Sequence, residues 1–312
     1  MKVLVVGAGA VGGYFGGRLA EAGRNVTFLV RAKRAAELAA TGLIVKSRFG
    51  DIRIASPQTV IAENIDGAFD IVLLSCKAYD LEGAMEAFTP AVGEGTAILP
   101  LLNGIGHLDA LKARFGEARV LGGQCFIAAT LNEQREIVHL SDQHGLTFGE
   151  LDAPGSERTH EIEDLMSGAN FEGRASGTIV LDMWEKWVFL ATLAGSTCLM
   201  RASIGDIVAA DGGSAFVEAL FEECRAIAEG EGFPPREAVL ERARATLTAT
   251  GSPLTASMMR DIGNNLPVEA DHIVGDLLHR GNASGGLSPR LQIVYSHLKA
   301  YEARRARLAS AE

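Results

Sequence analysis

Three sets of residues have types and spacings suited to chemistry. Gly7, Gly9 and Gly12 stand in "GAGAVG", directly after the short β-branched run "KVLVV" and at the opening of a helix-patterned stretch. In that context the first glycine permits a tight turn and the second lets the backbone approach a pyrophosphate. The third lets helix and strand pack closely, while free N–H groups at the helix start face the phosphates. The next apolar run ends "VTFLVRAKR". It has no Asp or Glu at its end, where an NAD site places a carboxylate for the ribose, and offers Arg31, Lys33 and Arg34 instead. A planar guanidinium matches a phosphate, so the pattern points to NADP(H) with Arg31 on the 2′-phosphate. The third set is Lys186 in "LDMWEKWVFLATLAGS", an ammonium between two tryptophans at the head of an apolar helix. Locally it reads as an i,i+4 surface partner of Asp182, or as a lysine laying its stem on apolar neighbours.

The elements that must position these residues are legible from punctuation and period. "KVLVVGAG", "NVTFLV", "DIVLLSC" and "GTAILPLLNG" read as buried strands; "AVGGYFGGRLAEAG", "RAKRAAELAATG" and "EGAMEAFTPAV" read as the helices between them, with Gly23 and Gly42 as stops. Such alternation predicts an α/β fold with a doubly wound parallel sheet. From Gly122 short strands joined by turns extend or finish that sheet, followed by a helix in "GSERTHEIEDLMSGA" and a strand in "NFEGRAS". Beyond Gly177 the chain reads as all helical, over 179–195, 213–230, 235–247, 270–278 and a tail helix from 289. The expected organisation is a Rossmann-type dinucleotide-binding domain over 1–176 and an all-helical substrate domain over 177–312.

Composition narrows the function class. The 312 residues carry 29 basic and 39 acidic side chains, a net charge of -10, with no clustered basic face, which argues against a nucleic-acid partner. Cys76, Cys125, Cys198 and Cys224 are scattered with no C-x-x-C, so no metal site or disulfide framework is expected. No stretch reads as a membrane span, and the N-terminal apolar run is too short for a signal peptide, so the expectation is a soluble, cytoplasmic protein. "YSHLK" carries a Tyr-x-x-x-Lys spacing at Tyr295 and Lys299, but on a tail helix, and reads as incidental.

Taken in order, "GAGAVGG", "SCKAY" with Lys77, "LLNGIGH" with Asn103, "WEKW" with Lys186, and "SMMRDIGNNLPVEAD" with Ser257, Asp261 and Glu269 resemble the ketopantoate reductase family along essentially the whole chain. The resemblance implies a Rossmann domain, a helical domain, and NADPH and a 2-oxo acid in the cleft between them. It makes Lys186 the general acid that protonates the carbonyl oxygen as hydride arrives. An ammonium, with an ordinary pKa of about 10.4, is charged at neutral pH and can both polarise the carbonyl and donate the proton. It assigns Glu269 to substrate hydroxyl and cofactor ribose, Lys77 and Asn103 to the nicotinamide end of the cofactor, and Asn103 and Ser257 to the substrate. A homodimer is the assembly to be tested.

The chain also departs from the family pattern. Family members usually carry Asn four and eight residues after the lysine and again shortly before the serine, where this chain has Leu190, Ala194 and Leu254. Leaving substrate polar groups unpaired costs about 1–3 kcal/mol each, so reduction of a 2-oxo acid is expected to survive while ketopantoate itself becomes doubtful. Arg201 and Arg260 are candidate carboxylate binders in compensation. The alternatives are a paralogous NADP-dependent hydroxyacid dehydrogenase with another substrate, a relative of the 3-hydroxyacid dehydrogenases, and a non-catalytic NADPH sensor.

Overall fold

A computed structural model describes residues 1–310. The chain folds as two compact units, Met1–Leu102 with His107–Val180, and Asn103–Gly106 with the chain from Leu181 onward.

The first unit contains ten strands: β1 (Lys2–Val6), β2 (Asn25–Leu29), β3 (Leu43–Lys46), β4 (Ile52–Ile54), β5 (Thr59–Val60), β6 (Phe69–Leu74), β7 (Val92–Pro100), β8 (Gly122–Leu131), β9 (Ile137–Gly149) and β10 (Glu172–Ala175). Its principal sheet runs β5-β2-β1-β6-β7, every neighbouring pair parallel. Val3 to Val6 are all buried, as a strand covered by helices on both faces requires. The chain builds outward from β1 first through β2, then through β6 on the other side, which leaves the ends of β1 and β6 at the switch point where such sheets take their ligands. Helices α1 (Ala10–Glu21), α2 (Ala32–Thr41) and α3 (Leu81–Phe88) make the crossovers, and α4 (Gly106–Phe115) follows β7.

The stretch after Gly122 does not extend this sheet. β8 and β9 form a long antiparallel hairpin in a second sheet, β10-β9-β3-β4, with β8 on β9. The physical reason lies in α1, whose small face seats the hairpin. A side chain on Gly13 would strike Ile137 of β9, and Gly17 faces Leu43 and Val45 of β3. α5 (Glu157–Met166) is started by a Ser156 capping box and leads into β10.

In the second unit are α6 (Ile179–Met200, which begins just before the unit division), α7 (Ile204–Ala209), α8 (Gly213–Gly230), α9 (Glu237–Leu247), α10 (Ser257–Gly263), α11 (Asp276–Ala283) and α12 (Pro289–Ala309). A π-helical turn, Asp271–Gly275, leads directly into α11. α6 is the central member: Trp184, Trp187, Ala191 and Cys198 are all at most 2% exposed. No helix among the described residues is long and apolar enough to cross a membrane.

Candidate active site

At the carboxyl end of β1 the three glycines have three different surroundings. Gly7 has φ +94°, a conformation that strains any side chain, and its N–H continues the ladder to Leu29 O at 2.9 Å. A Cβ on Gly12 would lie 2.0 Å from Ser75 Oγ and 2.3 Å from Gly7 O, so this position is closed by the protein itself. Ser75 Oγ in turn donates to Val6 O at 2.8 Å, which locks the ends of β1 and β6 together. A Cβ on Gly9 would meet nothing within 4 Å. Gly9 is also the N-cap of α1, which has no side-chain cap and no acid in its first turn. An anion seated there would meet unspent N–H groups and the positive end of the helix, so the loop fits a pyrophosphate.

Arg31 caps α2 with an extended backbone and an 86% exposed side chain, its Nη2 3.0 Å from Asp80 Oδ1 in the turn after β6. Arg34 is spent on Glu37 at 3.0 Å and is mostly buried, which leaves Arg31 and the exposed Lys33 facing outward from that end of β2. Lys77 lies one turn after β6, half-buried, just before Ala78–Asp80.

In the second unit Lys186 is 9% exposed, within a run of α6 that also buries Asp182 and Glu185 at 6% each. The surface-contact reading of this lysine therefore fails. Asp182 and Glu185 are both bound by Arg236. Its backbone N and its Nε each donate to Glu185 Oε1 at 2.8 Å, and its Nη2 reaches both Asp182 Oδ1 and Glu185 Oε2. The residue follows "FPP", where two prolines stiffen the approach and Phe233 stacks on Trp184 with ring centroids 5.7 Å apart. Both carboxylates lie so far from water that each would cost several kcal/mol unpaired. The half-exposed guanidinium is their compensation.

The turn that follows Glu269 is tied to the same helix. Trp187 Nε1 donates to Ile273 O at 2.8 Å, a carbonyl in the π-helical turn. Inserted turns of this kind recur at functional sites because they re-aim the chain without ending the helix. Tyr295 Oη and Lys299 Nζ both donate to Asp271, at 2.6 Å and 2.9–3.0 Å, so the Tyr-x-x-x-Lys spacing holds the first residue of this turn. His272 faces the Asn103–Gly106 loop: a Cβ on Gly104 would lie 3.1 Å from His272 O, and its ring hydrogen-bonds the backbone of Asn103. Burial holds the His272 imidazole below its ordinary value of 6.5, against the opposing pull of Glu269, Asp276 and that hydrogen bond. Ser257 is the exposed first residue of α10, and Ala256 N donates to Thr197 Oγ1 of α6 at 3.3 Å.

Gly7, Gly9, Gly12, Arg31 and Lys77 thus stand at the carboxyl ends of β1, β2 and β6 in the first unit. Asn103, Lys186, Ser257 and Glu269 are carried by the second, where Asn103 is packed although it follows a strand of the first. On α6, Leu190 and the buried Ala194 stand four and eight residues after Lys186, on its face of the helix. Arg260 Nη1 lies 3.5 Å from Thr255 O, and Arg201 is exposed with φ +56° after α6. The sequence reading missed Arg236 and His272. The signal for Arg236 was the pair of acids one turn apart at 182 and 185, which a buried helix can hold only with a cation from elsewhere.

Two family models describe nearly the whole chain: "Ketopantoate reductase PanE/ApbA" matches residues 3–153, and "Ketopantoate reductase PanE/ApbA C terminal" matches residues 178–302. The chain belongs to the ketopantoate reductase family. It is accordingly a pyridine-nucleotide-dependent oxidoreductase acting on a CH–OH group or the matching carbonyl. It is 39% identical over 303 residues to the uncharacterized oxidoreductase YkpB of Bacillus subtilis strain 168, covering 97% of this chain and 99% of that one. The crystal structure of 2-dehydropantoate 2-reductase from Geobacter metallireducens GS-15 superposes with a TM-score of 0.88 at 28% identity, over 96% of this chain and 99% of that one. A D-mandelate dehydrogenase in ternary complex with NADH and anilino(oxo)acetate shares the fold, with a TM-score of 0.88 at 21% identity over 98% and 100% of the two chains.

Proposed function

We propose that this member of the ketopantoate reductase family uses NADPH to reduce a 2-oxo acid, 2-dehydropantoate or a relative with a more apolar side group, and that Lys186 donates the proton. The observation that carries this reading is the buried ammonium of Lys186 on α6, with Leu190 and Ala194 following it on one face. The reduced nicotinamide, when bound, supplies the hydride. Lys186 polarises the substrate carbonyl and gives its proton to the oxygen as negative charge develops there. An alkoxide is a far stronger base than an amine, so the transfer runs downhill, and a placed acid of this kind contributes about 10²–10⁴ in rate. Glu269 takes a substrate hydroxyl or ribose hydroxyl, Ser257 and Asn103 hold the substrate, and Asn103 and Lys77 orient the nicotinamide end.

The nucleotide preference rests on Arg31. Its pair with Asp80 is exposed, and such pairs are worth about 0–1 kcal/mol, so exchanging that carboxylate for a phosphate costs little. Charge-assisted, two-pronged bonds to a 2′-phosphate are roughly twice as strong as neutral ones. The apolar face fixes the substrate class: with Leu190 and Ala194 in place, each substrate hydroxyl left unpaired costs about 1–3 kcal/mol, roughly tenfold or more in specificity.

The test is the oxidation of NADPH and of NADH with a panel of 2-oxo acids graded from hydroxylated to alkyl and aryl side groups. The proposal expects turnover with NADPH well above NADH, and kcat/KM rising as side-group hydroxyls are removed. Tight NADPH binding with no oxo acid turned over would favour a sensor. Preference for NADH would remove the role given to Arg31.

A further inference from the structure

Building on the reading of Lys186 as proton donor, we propose that Arg236 is a positioning residue of the reductive site: it clamps Asp182 and Glu185 and so sets the negative charge that the Lys186 ammonium meets along α6. Asp182, Glu185 and Lys186 stand at i, i+3 and i+4, within one arc of α6 about 100° wide. Side chains four apart on a helix have Cβ atoms about 5–6 Å apart, within reach of an ordinary Asp–Lys ion pair. Arg236 changes the balance by presenting its backbone N–H, Nε and Nη2 to the two acids, with Nη2 shared between them. With it, two buried carboxylates face two cations; without it, the same run of helix carries a net negative charge. The carboxylate neighbours in turn raise the Arg236 guanidinium further above its ordinary value, Glu185 most of all.

Other charged groups also stand near this part of α6. Arg280 of α11 lies 5.9 Å from the centroids of both Trp184 and Trp187, and is itself paired with Asp276 at 3.1 Å and Glu231 at 3.3 Å. Glu269 and His272 accompany the turn bonded to Trp187. Arg236 is thus the cation from outside the helix bonded to both acids next to Lys186, and the two prolines before it fix where it enters.

The experiment follows the proton on Lys186 in two ways: by the alkaline limb of kcat in the reductive direction, and by the ¹³Cε resonance of Lys186 in lysine-labelled apoprotein, assigned through Lys186→Arg. In Arg236→Met the uncompensated acids hold the ammonium more tightly, and both readouts move up by roughly 0.5–1 pH unit, less at high salt. Arg236→Lys keeps the charge and stays near wild type. If Arg236→Met does not fold, Asp182→Asn in the intact clamp tests the same balance with the opposite sign: both readouts move down. Resonance and limb unmoved in every folded variant would overturn the inference. A resonance that moves while the limb does not would uphold the clamp and remove Lys186 as proton donor. Full turnover by Lys186→Ala would remove that donor role independently, leaving the resonance to decide the clamp.

Discussion

Gly9 and Gly12 are three residues apart in one glycine-rich loop, and the structure assigns them opposite vulnerabilities. A methyl at Gly12 has nowhere to go between Ser75 Oγ and Gly7 O. Overpacking of that kind costs about 1–3 kcal/mol, so Gly12→Ala is expected to lower the thermal midpoint of the protein without ligand. A methyl at Gly9 meets open space. Gly9→Ala is therefore expected to keep wild-type stability and to weaken nucleotide binding, which calorimetry with NADPH would separate from the first effect. Arg31→Ala is the complementary case: its pair with Asp80 is exposed and weak, so stability should not change. The NADPH dissociation constant should rise about tenfold, roughly 1.4 kcal/mol, while that for NADH stays put. Equal losses for both nucleotides would place Arg31 away from the 2′-phosphate.

At the scale of elements, the proposed chemistry falls on α6 and the turn it braces. Trp187→Phe keeps the ring and removes the donor to Ile273 O, leaving a buried carbonyl short of its partner at about 1–3 kcal/mol. The expected outcome is a fall in kcat/KM larger than the fall in nucleotide affinity, because the turn carries His272 and begins two residues after Glu269, away from the glycine loop. Restoring amides on the helix face, in Leu190→Asn with Ala194→Asn, should shift preference toward hydroxylated 2-oxo acids; unchanged ranking across the substrate panel would show that this face does not read the side group. These elements differ in how visible they are in the sequence. α6 is legible because a long uncharged run headed by "WEKW" suits a buried helix and little else, and the strand–glycine–helix opening is legible because each glycine answers a local backbone need. The π-helical turn is not: its apolar spacing over 270–283 fits an ordinary helix, and the tie that marks it comes from Trp187, far away in sequence. The β8–β9 hairpin is visible as strands but not as a second sheet, since its partner β3 and that strand's neighbour β4 are only four and three residues long.

For the whole molecule, charge decides how the fold responds to acid. His139, His144 and His272 all lie below their ordinary value of 6.5, in each case chiefly through burial. Tyr14 shares a 2.7 Å hydrogen bond with His144, and Phe49 stacks on the same ring at 3.9 Å, so the imidazoles are packed as neutral groups. Depressed values mean that the unfolded chain takes up protons first as pH falls. The stability these rings contribute is complete above 6.5 and is lost as pH drops toward their folded values. The thermal midpoint should therefore decline already between about pH 6.5 and pH 5, before carboxylates such as Glu150, held low by Arg158, begin to protonate. A midpoint flat down to the carboxylate range would contradict the packing described for these rings.

The proposed mechanism turns on a single proton, and its sharpest probe is Lys186→Ala, with single-turnover oxidation of bound NADPH by the best 2-oxo acid measured beside the NADPH dissociation constant. The expected rate is lower by about 10²–10⁴ with the dissociation constant essentially unchanged. A variant that binds NADPH as before and still reduces the oxo acid within a few fold of wild type would contradict it, and the proton would have to come from another group.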